Sequence, residues 1–155
     1  MLIYPISNII RRDNKLLYST ALSSKDITEL VNLKGKEKGI EVTHVEINNG
    51  INFSGNIFNT INSKFSGSLY IKSFYDNKIV IGTKDINIDK LGRLKGISNV
   101  ILKSVVKILG EDYLTIKGKD IIISLDKYEA NIEDIYIKDK LLYIIGGNIE
   151  FYINA

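Results

Sequence analysis

The chain has no cysteine, no tryptophan, one proline, one methionine and one histidine in 155 residues. Without cysteine there is no disulfide framework, no thiolate nucleophile, and no sulfur ligand for zinc or an iron–sulfur cluster. A single proline and scattered glycines leave no linker at which the chain would divide. No apolar run approaches the roughly 18 residues of a membrane-spanning helix. The segment 1–12 is apolar first and basic afterwards, the reverse of a secretory signal, so a cytoplasmic protein is expected. Neither sign of charge dominates: 21 basic against 18 acidic residues give a net charge of +3. That falls short of the phosphate footprint of a dedicated nucleic-acid binder.

What the chain does have is an apolar content of 45% with 25% charged residues, the balance of a globular domain. Its length suffices for one core without disulfides or metals. The expectation is a single domain over 1–155, with 1–22 as an N-terminal strand or extension and 23–155 as the body. A helix is expected after Ser23, whose hydroxyl can cap it with Asp26 three residues on. Ile27, Leu30 and Val31 fall on one face, and Gly35 closes it. From Ile40 the apolar period becomes two. It slips at Thr43-His44 and resumes at Val45 and Ile47, which is the sequence form of a β-bulge. Asn48-Asn49-Gly50 reads as a hairpin turn built on positive φ. Ile51, Phe53, Gly55 and Ile57 then share a face, and Phe65, Leu69 and Ile71 lead to a turn at Asp76-Asn77. Ile79, Ile81, Ile86 and Ile88 follow. A second helix is expected over 99–109, with Ser98 as its cap, Gly110 as its stop and a broad apolar arc. Strands return over 114–117, 121–125, 132–137 and, past a turn at Asp139-Lys140, 141–145; alternation resumes at Ile149, Phe151 and Ile153. The class is α+β, mostly antiparallel and β-rich.

Chemistry is harder to find. His44 lies at the phase slip and reads as an exposed strand residue, not a general base. Asp85-x-Asn87-x-Asp89 opens like a calcium loop, but Lys90 stands where glycine is needed and Gly96 where a bidentate glutamate is needed. Glu111-Asp112 and Glu133-Asp134 are neighbours, and neighbours on a strand point to opposite faces. No G-x-S-x-G elbow, P-loop or dinucleotide fingerprint occurs. No catalytic residue, metal site or cofactor is therefore expected, and the chain reads as a non-enzyme.

Charge is unevenly distributed. Residues 90–110 carry Lys90, Arg93, Lys95, Lys103 and Lys107 without an acid, whereas 126–150 is acidic. This predicts a basic surface near the second helix, suited to peripheral membrane contact or an acidic partner. The succession of the 24–30 helix start, 39–42, 45–55, the 100–109 helix and the strands from Leu114 to Leu141 resembles small bacterial tubular lipid-binding (TULIP-like) domains. That resemblance implies a long curved antiparallel sheet wrapping one or two amphipathic helices, with lipid or another hydrophobic small molecule in an apolar groove. Ile101, Val105 and Leu109, with Phe65 and Leu69 from a strand, would then line the groove. The second reading is a protein–protein or homo-oligomeric assembly module that uses an exposed β-edge or the basic face, with a packed core. Nucleic acid ranks last among the partners.

Overall fold

The computed structural model describes residues 6–12, 15–58, 62–91, 113–125 and 131–147. Among them β1 (Ile6–Arg12) and β2 (Lys15–Leu22) form a hairpin, followed by α1 (Ser24–Gly35) and a 3-10 turn (Lys36–Lys38). Next come β3 (Ile40–Ile47), β4 (Ile51–Phe58), β5 (Asn62–Tyr75) and β6 (Lys78–Ile88), then a second 3-10 turn (Asp89–Leu91). β7 (Leu114–Lys117), β8 (Asp120–Ser124), β9 (Asn131–Lys138) and β10 (Leu141–Gly147) complete the described part. The smaller sheet has the order β1-β2-β10-β9 and the larger β3-β4-β5-β6-β8-β7. Every neighbouring pair is antiparallel. The expected antiparallel, β-rich α+β character is present. The expected helix over 99–109 and the alternation after Ile149 lie outside the described residues.

Local chemistry accounts for most boundaries. The Ser23 hydroxyl accepts from the Asp26 amide and the Asp26 carboxylate accepts from the Ser23 amide, a closed capping box that starts α1. Asp76-Asn77 and Asp139-Lys140 are two-residue hairpin turns with positive φ at both residues, the twist that matches antiparallel strands. The 48–50 turn forms where the sequence places it, but none of its residues has positive φ. Gly50 is needed for a different reason: a Cβ there would come within 2.6 Å of the Leu69 carbonyl oxygen of β5. Ile27 of α1 packs on the core, whereas Val31 stays 46% exposed. The helix rests on β3, the margin of the larger sheet, and touches β2, so part of its apolar arc overhangs.

The core sits where α1 and the two sheets converge. Val42, Val45 and Ile47 of β3 are buried against Ile27, Ile51, Phe53 and Phe65, with Ile137 of β9 arriving from the smaller sheet. Phe53 and Phe65 meet at 6.0 Å in a tilted arrangement. Each ring lies against a cross-strand glycine, Phe53 on Gly67 and Phe65 on Gly55, where a side chain would collide.

Four bulges bend the strands. The one between Val42 and His44 falls at the phase slip in the sequence, and His44 is exposed there. The others place Lys72 as an extra residue on β5, Asp85 and Ile86 opposite Gly67 on β6, and Glu133 as an extra residue on β9. Asp85 adopts φ 54, which aspartate tolerates better than most residues. An ion pair spans the smaller sheet. Arg12 of β1 donates to Asp134 of β9 at 3.2 Å, although two strands lie between them. In a flat sheet three strand spacings would separate them by about 14 Å. The long Arg12 side chain thus reaches back over its own sheet, on the face that also carries Leu17 and Ile145.

Candidate functional site

Three features stand out at the surface, and each follows from how the two sheets overlap. The first is on the β1–β2 hairpin. Thr20 and Leu22 of β2 and Ile144 of β10 share a face that is buried against the body, with exposures of 1%, 3% and 7%. That face continues outward through Tyr18, Leu16 and Ile9, and there it is bare: Ile9 and Leu16 are 67% exposed and Tyr18 is 42%. Ile9 lies directly across from Tyr18, and Arg11 across from Leu16, so the three apolar side chains form one patch with a cation at its rim. A core-type face thus runs past its cover.

β1 is also an edge. Edges are usually blunted, because unpaired N–H and C=O groups invite another strand. The β3 edge is blunted by α1: the Asn32 side-chain amide donates to the Val42 carbonyl at 2.8 Å, and its oxygen accepts from the Val42 amide at 2.7 Å. One carboxamide imitates a neighbouring strand at the bulge. β7, the other edge of the larger sheet, has only four residues. β9, the other edge of the smaller sheet, is bulged at Glu133 and lies beside β5. β1 spans seven residues without a bulge, and among the described residues no strand pairs with its outer side.

The second feature is an open cleft of 390 Å³ where β9 passes β5. Two of the bulges meet there, and they deliver Lys72, Ser73, Glu133 and Asp134, together with Tyr136 and Asn49; Ile71, Phe74, Ile135 and Ile137 complete the lining. Glu133 and Asp134 both border this cleft, as do the regularly alternating Ile135, Tyr136 and Ile137 that follow them. Lys72 reaches Asp120 at 2.9 Å, and this hydrogen bond and the carboxylate's charge hold the ammonium above its ordinary value. With Asp134 engaged by Arg12, much of the cleft's charge is compensated within the chain. Its lining is mixed, with the polar groups contributing more of the exposed surface than the apolar ones.

The third feature is the apolar face of the larger sheet that starts at this cleft, where Ile71 and Phe74 border β9, and runs on to β7. Ile71, Ile81, Ile121 and Ile116 form a row across β5, β6, β8 and β7, and all four are half-buried. Phe74, Ile79, Ile123 and Leu114 form the next row.

The residues singled out from the sequence are dispersed among these features. Phe65 belongs to the core, paired with Ile88 and in tilted ring contact with Phe53. Leu69 shares its face and is flanked by Ile51 and Thr83. Lys90 is exposed in the second 3-10 turn, and its backbone amide donates to the Ser63 hydroxyl at 2.9 Å. It borders a shallow depression of 420 Å³ with Phe58 and Lys64. Ile101, Val105 and Leu109, and likewise Arg93, Lys95, Lys103 and Lys107, lie outside the described residues. In the Asp85-Asn87-Asp89 stretch the Asn87 amide donates to Asp89, and no grouping of three potential metal ligands occurs among the described residues. No helix among them is long and apolar enough to cross a membrane. Comparison with known protein families, with curated proteins and with solved structures finds no match.

Proposed function

We propose that this protein is a non-catalytic interaction module that docks a protein partner on the outer edge of the β1–β2 hairpin. The observation that carries the reading is the bare continuation of a core face through Ile9, Leu16 and Tyr18, beside the one long edge without a blunting device among the described strands. Full burial of an Ile or Leu side chain is worth about 1.5–3 kcal/mol, so leaving two of them two-thirds exposed forgoes stability that a partner can recover. Strand addition supplies main-chain hydrogen bonds, and the patch supplies selectivity. The test compares capture by the wild-type chain with capture by a Leu16→Lys, Tyr18→Glu variant. Because both positions are exposed, the variant is expected to keep its β-sheet circular dichroism and to melt within a few degrees of wild type, while losing the captured protein. Equal capture by both chains would sink the reading.

A second reading has its own observation. The half-buried row of Ile71, Ile81, Ile121 and Ile116 on the larger sheet suits a hydrophobic ligand, in line with the groove expected from the tubular lipid-binding resemblance. Native mass spectrometry of the purified chain is expected to show a bound lipid mass under this reading. A chain that is empty after every detergent-free preparation would remove it.

A further inference from the structure

We infer that the partner at the β1 edge is a second copy of this chain, paired antiparallel through β1 about a two-fold axis at Ile9. This rests on the interaction reading above and names the occupant. A two-fold contact requires a surface complementary to itself, with like charges kept off the axis. β1 meets that requirement. Its middle residue is Ile9, and its two cations, Arg11 and Arg12, both lie at one end. Antiparallel pairing centred on Ile9 sets Arg11 and Arg12 of one copy across from residues 7 and 6 of the other, so the two pairs of arginines sit at opposite ends of the seam. Ile9 faces Ile9, and each is flanked by its own Tyr18, because Ile9 and Tyr18 are direct cross-strand partners. The row Tyr18–Ile9–Ile9–Tyr18 then joins the two exposed patches into one, and two four-stranded sheets become a continuous sheet of eight. Arg12 does not obstruct the seam, since its side chain is drawn back across its own sheet to Asp134. The other described edges cannot do this: β3 is occupied by Asn32, β7 is four residues long, and β9 is bulged beside β5.

The absence of cysteine makes the test direct. The full wild-type chain is expected to sediment at twice 17.5 kDa, and Ile9→Lys at 17.5 kDa with unchanged circular dichroism. Directly opposed residues of an antiparallel pair have Cα atoms about 4.5–5.5 Å apart, within disulfide range. Ile9→Cys is therefore expected to form a covalent dimer under mild oxidation. Leu16→Cys, equally exposed but one strand further in, is expected not to, because three strand spacings hold its two copies about 14 Å apart or more. A dimer that survives Ile9→Lys, or a Leu16→Cys chain that cross-links as fast as Ile9→Cys, overturns the proposal. A wild-type chain that stays monomeric yet captures a protein, with capture lost in the Leu16→Lys, Tyr18→Glu variant, overturns the two-fold pairing and leaves the interaction reading standing. A monomeric chain that captures nothing overturns both.

Discussion

Among the described residues Asn32 has no counterpart on the opposite edge of the larger sheet, and its two hydrogen bonds to Val42 do what a further strand would do for that residue. Removing the amide strands a partly buried N–H and C=O together. Asn32→Ala is expected to cost about 1–3 kcal/mol in urea unfolding. Asn32→Asp keeps the shape but presents a carboxylate to the Val42 carbonyl. It is expected to be destabilised near neutral pH and to recover as pH falls, since the protonated acid regains a donor. Lys72 shows the opposite sign. Its value is raised in the folded state by the hydrogen bond and charge of Asp120, so the pair's contribution is complete below the unfolded-state value and lost as pH rises through the folded one. The gap in denaturation midpoint between wild type and Lys72→Met is expected to be constant through neutral pH and to close on the alkaline side; a gap that widens there would contradict the sign. Because the pair is exposed, the gap itself is small.

At the scale of elements, the β7–β8 hairpin pairs with β6 along β8, and one buried threonine extends that hold to its turn. The Thr83 hydroxyl and amide both donate to the Lys119 carbonyl, at 2.5 Å and 3.2 Å, and pin the hairpin turn to β6. Thr83→Val retains the amide bond and is expected to cost about 1 kcal/mol. Amide exchange is expected to quicken in 114–124 more than in β3 or β4, and a uniform change would refute a local role. Elements of this size were legible in the sequence wherever local chemistry decides them. The Ser23–Asp26 box, the Asp76-Asn77 and Asp139-Lys140 turns and the bulge at His44 stand where residue type and phase put them. The other bulges left the same trace. Apolar parity changes between Ile71 and Phe74, between Ile81 and Ile86, and between Ile132 and Ile135, each across an inserted residue. That signal places Lys72 and Glu133 in a common cleft only once β9 is known to lie beside β5. The division into two sheets left no local trace, because the pairing of β2 with β10 depends on partners distant in sequence. The bare patch was hidden for the same reason: Leu16 and Leu22 look alike until the cover over one and not the other is seen.

At the scale of the whole molecule, the smaller sheet joins the early part of the chain to its late part, and this fixes an order of events. Arg12 and Asp134, which form an ion pair across it, are 122 residues apart. Closing a loop of that length costs about 4 kcal/mol of chain entropy, whereas β3 to β6 pair with their sequence neighbours across short turns. In pulse-labelled hydrogen exchange during refolding, amides of β3 to β6 are expected to gain protection before those where β2 meets β10. Simultaneous protection would contradict that order. During synthesis the same topology sets a waiting time. At about 5–20 residues per second, roughly 6–25 s elapse between the emergence of Arg12 and that of Asp134. Throughout that interval the whole β2 face, Thr20 and Leu22 included, lacks its β10 neighbour. The β1–β2 hairpin, made before β3 to β10, thus waits for its cover until β10 is made, and on a shared messenger it is offered to the neighbouring nascent chain before its own β9 and β10 exist.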